Sequence, residues 1–80
     1  MASEKTIERL TIYHFILKEL QESHVLAIYS KDLAKLAHVK PSQVRRDLMV
    51  TGYAGNTRNG YDVVQLQAAI DDFFNFKDGI

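Results

Sequence analysis

Apolar positions in this chain recur at three- and four-residue intervals, interrupted twice by short extended stretches. From Glu4 to Ser23, residues Ile7, Leu10, Tyr13, Leu17 and Leu20 form one apolar stripe, which predicts a helix. Ser3 precedes it as an N-cap, because its hydroxyl can accept from the free amides of the first turn. Glu4 and Glu8 suit the positive end of that helix. A loop from Glu22 to Ala27 leads to Ala27-Ile28-Tyr29, too short and too β-branched to be more than a strand stub. Ser30 then caps a second helix, Lys31 to Ala37, with Leu33, Leu36 and Ala37 inward. His38-Val39-Lys40 makes a turn, and Pro41 opens a third helix, since proline's missing amide has no partner at the first helical position. Val44 and Leu48 lie four apart and face inward. Ser42, Gln43, Arg45, Arg46 and Met49 take the remaining surface.

Gly52 is placed to end the third helix in a left-handed conformation, which a residue with a side chain resists. Tyr53 to Val63 reads as a hairpin whose tip is either Gly55–Thr57 or Asn59–Gly60. The last helix begins at Asp62, with Gln65 three residues on, so each side chain can cap the other's backbone amide. Val64, Leu66, Ile70, Phe73 and Phe74 give it a broad apolar face. Helix, strand stub, helix, helix, hairpin, helix is the order of a winged helix-turn-helix. The predicted fold class is therefore mainly α with a small β-hairpin (α+β), a single domain over residues 1–80.

Composition narrows the function without naming it. At 80 residues, 46% apolar and 25% charged, the chain has room for one modest core. It has no cysteine, which excludes disulfides and thiolate metal ligands and fits a reducing, cytoplasmic setting. No apolar run approaches the ~20 residues of a membrane span, and the polar N-terminus lacks a secretory core. His14, His24 and His38 fall in different elements, away from metal-site spacing. No nucleophile motif and no Gly-x-Gly-x-x-Gly is present, so no enzyme is predicted.

Charge changes the picture more. The formal net charge is zero. From Lys31 to Gly60, however, six bases (Lys31, Lys35, Lys40, Arg45, Arg46, Arg58) face two acids (Asp32, Asp47), and the remainder is correspondingly acidic. A segregated field of this kind can steer a polyanion. Arg45 and Arg46 stand side by side on the third helix, where a guanidinium can clamp guanine O6 and N7 or bridge phosphates; which arginine does which is open. Ser42 and Gln43 lie on the first turn, where recognition helices meet base edges. Lys31, Lys35 and Lys40 suit phosphates, and Arg58 suits a minor groove beside the wing. Asp47 reads as structural, pairing with a neighbouring arginine or holding the wing.

The run Gln43 to Leu48 (QVRRDL), followed by Gly52, Gly55 and Gly60-Tyr61-Asp62-Val63, resembles the N-terminal DNA-binding domain of the Rex redox-sensing repressors of bacteria. Thr6 to Leu20 (TIERLTIYHFILKEL), with its Arg9-Leu10 pair, and Ser30 to Val39 (SKDLAKLAHV) are similar to that family's first two helices. The resemblance covers Thr6 to Phe74. Thr51 replaces a usual aromatic, and Asn56-Thr57-Arg58 carries one cation where the family's wing tip has two. The resemblance implies sequence-specific binding to an inverted-repeat operator in double-stranded DNA, with the full-length repressor a homodimer and this isolated domain a monomer. It implies no cofactor in this chain, NAD(H) being expected only in a C-terminal dinucleotide-binding domain of a longer protein that senses the NADH/NAD ratio. By the same resemblance Arg9 and Tyr61 lie near DNA, as phosphate contacts or scaffold. Phe73, Phe74 and Phe76 suggest a surface covered in that longer protein. The alternative is a winged helix that binds an acidic protein partner, favoured by the zero net charge.

Overall fold

Ser3 sets the start of the first helix in the computed structural model, which describes residues 3–53 and 59–77, with side chains to Asn75. Its Oγ accepts the Thr6 N–H at 3.1 Å, and its carbonyl accepts from Ile7 at 3.0 Å. Helix α1 then runs Glu4–Glu22, and its stripe residues Leu10, Tyr13 and Leu17 are fully buried. The helix ends as the expected loop begins. His24 takes a left-handed conformation at φ 63°, while the Val25 N–H returns to the Leu20 carbonyl at 2.8 Å. That six-to-one bond around a left-handed residue is a Schellman closure, usually built on glycine.

Strand β1 (Ala27–Ile28) leads directly into α2 (Ser30–Ala37). Here the structure departs from the sequence pattern. Tyr29, not Ser30, occupies the capping position, its carbonyl accepting from Asp32 and Leu33 at 3.0 Å; Ser30 is the first helical residue. Leu36 is 51% exposed, and Ala34 takes the inward place expected of it. With only eight residues, α2 offers Leu33, Ala34 and Ala37 to its neighbours, and Leu36 lies past the edge of that face. His38 closes α2 as His24 closes α1, at φ 60° with the Val39 N–H on the Ala34 carbonyl at 3.0 Å.

Helix α3 (Pro41–Val50) opens on its proline as expected, with Thr51 as the C-cap and Gly52 beyond it at φ 79°. Strand β2 (Tyr61–Asp62) pairs antiparallel with β1, Ala27 opposite Asp62 and Ile28 opposite Tyr61. The described part of the expected 53–63 hairpin therefore finds its partner strand after α1. Tyr53 contributes a side chain instead: its hydroxyl accepts the Asp62 N–H at 3.1 Å. Gly60 is left-handed at φ 84°, and the alternative tip at Gly55–Thr57 lies outside the described residues.

Helix α4 (Val63–Lys77) begins one residue later than its pattern suggests. Asp62 belongs to the strand and caps the helix from there, its Oδ1 accepting the Gln65 N–H at 2.8 Å. The reciprocal bond expected from Gln65 is replaced by the Tyr53 hydroxyl. Val63, Leu66 and Ile70 form its buried face, while Val64, expected inward, is 50% exposed. Phe73 and Phe74 pack partly buried against the core, their rings edge to face; the side chain of Phe76 lies outside the described residues. One core joins these faces to Ile28, Leu33, Ala34, Ala37, Val44, Leu48 and Tyr61. Each fully buried leucine or isoleucine contributes ~1.5–3 kcal/mol by leaving water. His14 ties α1 to α4 through Asp71 Oδ1 at 2.6 Å. The architecture is the winged helix-turn-helix that the element order predicts.

Candidate nucleic-acid interface

Helix α3 divides by periodicity into three strips. Val44 and Leu48 form the buried strip. Ser42, Arg45, Arg46 and Met49, spaced three and four apart, form the opposite strip and are all exposed. Gln43 and Asp47, four apart, form the flank between, and Asp47 meets the N-terminal half of α1.

Asp47 is the one buried charged residue among the described residues, 2% exposed. Its Oδ2 accepts from Arg9 Nε at 2.7 Å and from the Tyr13 hydroxyl at 2.6 Å. Its Oδ1 accepts from Arg9 Nη2 at 3.0 Å and from Gln43 Nε2 at 2.9 Å. Four donors meet a carboxylate's four acceptor sites, so the buried charge is fully satisfied. Burial pushes the Asp47 carboxyl up, but the bonds from Arg9, Tyr13 and Gln43 together hold it below the usual carboxylate range. The bond to Asp47 raises the Arg9 guanidinium in turn. Burial, and then the neighbouring Asp47, push the Tyr13 phenol well up, so Tyr13 remains a donor.

This network answers two of the sequence expectations. Asp47 is structural, but it pairs with Arg9 from α1 and not with Arg45 or Arg46 beside it. Arg9 spends Nε and Nη2 on Asp47 and reaches Thr6 Oγ1 at 3.3 Å, which makes it a brace between α1 and α3. Tyr13 enters as an unforeseen member, because a stripe tyrosine looks like any core residue until its hydroxyl has a partner. The available signal was a pair of i,i+4 spacings, Arg9 with Tyr13 and Gln43 with Asp47.

The other predicted residues occupy a continuous stretch of chain. Lys31 and Lys35 are exposed on α2, and Lys40 is exposed at the cap of α3. α2 packs against α3, so these cations and the outer strip share the helix-turn-helix unit. Arg45 Nη1 makes a long 3.5 Å contact to Ser30 Oγ. Tyr61 is only 8% exposed, its ring edge-on to Tyr53 with centroids 5.9 Å apart. Burial raises its phenol while the nearby Arg45 charge pulls it down. Arg58 lies outside the described residues. Met49, assigned only to the surface by periodicity, is 75% exposed among the polar side chains of the outer strip. Among the described residues no cluster of three or more His, Cys, Asp or Glu is arranged to hold a metal ion. No described helix is long and apolar enough to cross a membrane.

Known proteins share this fold and part of this sequence. Residues 2–48 match the family described as "Putative DNA-binding protein N-terminus". The chain is 36% identical over 78 residues to the redox-sensing transcriptional repressor Rex of Brevibacillus brevis, covering 98% of this chain and 38% of that protein. It is 46% identical over 72 residues to Rex of Syntrophobacter fumaroxidans, covering 90% and 34%. The chain thus spans about a third of the length of these relatives. The fold superimposes on the crystal structure of RSP in complex with beta-NAD+ and operator DNA with a TM-score of 0.86 at 32% identity, over 96% of this chain and 36% of that one. The RSP complex with beta-NADH gives 0.80 at 31% identity, over 96% and 34%. With the same winged fold and matching residues along almost its whole length, the chain belongs to the family of the N-terminal DNA-binding domain of Rex repressors.

Proposed function

We propose that this chain is the operator-reading module of a Rex-type transcriptional repressor, one domain of a longer protein that regulates transcription and catalyses no reaction. The observation that carries the reading is the outer strip of α3. Arg45, Arg46 and Ser42 stand exposed on a helix whose flank is fixed to α1 by a saturated buried carboxylate. A helix so held enters a major groove without rearranging, with Arg45 or Arg46 bidentate to guanine and the other on phosphate. Gln43 and Ser42 meet base edges near the helix start. Met49 adds an apolar contact suited to a thymine methyl. Lys31, Lys35 and Lys40 hold the backbone, and Arg58 reaches the minor groove. Arg9 and Tyr61 act from within, as supports.

In the full repressor two such domains read the two halves of an inverted repeat. NAD(H), bound by a C-terminal domain, changes their spacing, and the protein works in the cytoplasm. The isolated chain is a monomer and binds a half-site weakly, because the tethered partner's effective concentration is lost. Titration against an inverted-repeat Rex-type operator and a scrambled duplex at two salt concentrations tests this. Tighter, salt-dependent binding to the operator, lost in Arg45→Ala or Arg46→Ala, is expected. Equal, feeble binding to both duplexes refutes it and favours an acidic protein partner.

A further inference from the structure

We infer that Asp47, on the flank of α3 beside Gln43, sets the base preference of Gln43 by dictating which way round the Gln43 amide is presented. The inference rests on α3 being a DNA reader. A glutamine amide has an acceptor end and a donor end of nearly the same shape, and on a free helix surface it samples both orientations. Asp47 removes that freedom. An ionised carboxylate only accepts, so its Oδ1, 2.9 Å away, takes the Gln43 nitrogen and refuses the oxygen. Arg9 and Tyr13 keep that carboxylate ionised and immobile, since they fill its remaining acceptor sites.

The amide anchored in this way still has Oε1 and a second N–H uncommitted by the Asp47 contact. That acceptor–donor pair matches adenine, whose major-groove edge offers the N6 donor and the N7 acceptor. Held in place by Asp47, Gln43 loses less rotamer freedom when DNA arrives, and the opposite presentation is suppressed. Asp47 is therefore a positioning residue for specificity, acting through Gln43.

The test measures discrimination at each position of the operator separately from overall affinity. The chain, Gln43→Ala, Asp47→Asn and the double variant are titrated against every single base-pair change in one operator half-site. Asparagine keeps the shape of Asp47 but can also donate, so it accepts either orientation of the amide. Gln43→Ala should abolish a preference of roughly 5- to 100-fold for adenine at one position. Asp47→Asn should erase the preference at that same position, with the double variant no worse than either single one. If Asp47→Asn weakens all duplexes alike and the adenine preference survives, the residue is only structural and the inference fails. If the unmodified chain prefers no duplex, DNA reading itself fails.

Should Asp47→Asn not fold, a measurement on the unmodified chain decides. The Gln43 side-chain NH2 signal is expected to be as ordered as the helix backbone, with an order parameter of about 0.85, and to loosen at acid pH as Asp47 protonates. An order parameter below about 0.6 at neutral pH overturns the inference.

Discussion

Replacing Arg9 by methionine keeps a long apolar stem in place while removing both of its bonds to Asp47. Those bonds, at 2.7 and 3.0 Å, go to a carboxylate that is 2% exposed, while Arg9 itself is 22% exposed. Removing one partner of a buried pair costs ~3–5 kcal/mol, and partial access of water to the Arg9 end brings the expectation here to about 2–4 kcal/mol. Domains of this size are stable by only ~4–12 kcal/mol, so the loss is large. The assay is urea unfolding of the chain and of Arg9→Met, from pH 7 down to pH 3. In the unmodified chain the folded Asp47 carboxyl sits below its ordinary range. Its stabilising contribution is complete above the unfolded value and is lost as pH falls through the depressed one. In Arg9→Met, burial is less opposed, so Asp47 takes up a proton at higher pH and its unpaired charge disappears. The stability gap should therefore be widest at pH 7 and close towards pH 3. A gap that is the same at both ends would show that Arg9 acts through packing, and a gap below about 0.5 kcal/mol at pH 7 would remove it from the fold's support, since that is the scatter of ordinary surface changes.

The two left-handed glycines should respond differently to alanine. A Cβ at Gly52 meets nothing within 4 Å, whereas at Gly60 it would sit 3.1 Å from the Ile28 carbonyl oxygen. Gly52→Ala should cost ~1–2 kcal/mol of backbone strain and Gly60→Ala more, and equal melting temperatures would refute the close approach at Gly60. His38→Gly should raise stability by ~0.5–1 kcal/mol in urea unfolding by relieving φ 60°, net of the added freedom of the unfolded chain; a loss would mean that the His38 side chain contributes to the fold. Met49→Ala should weaken operator binding several-fold, and replacing the contacted thymine by deoxyuridine should have the same effect on the unmodified chain and none on the variant. An additive loss would exclude the methyl contact.

Periodicity located the helices because burial enforces it. Leu10, Tyr13 and Leu17 are buried where the three- and four-residue spacing puts them, and Pro41 and Gly52 bound α3 for local backbone reasons. The failures fall where tertiary geometry competes with local preference. Ser30 is a good cap by composition, yet the β1–β2 ribbon fixes Tyr29 in extended backbone and makes that residue the cap. Val64 and Val63 are indistinguishable by type; Val63 is drawn inward because its N–H bonds to the Leu26 carbonyl at 3.0 Å. The exposed strip of α3 was legible from spacing and charge. Its support was not, since Arg9 and Asp47 lie 38 residues apart and nothing local links them.

The two-residue ribbon between β1 and β2 has a topological consequence. Everything from Tyr29 to Gly60, including the whole helix-turn-helix, lies within one loop of chain closed at that neck. Closing that loop costs conformational entropy, which the packing of α2 and α3 on each other and on α1 offsets, so α2 and α3 should dock before the neck zips. Once zipped, the neck holds the docked helix-turn-helix against α1, to which α3 is already tied through Asp47. Two residue pairs thus act as a clasp, locking in register a helix-turn-helix that its core contacts have already assembled.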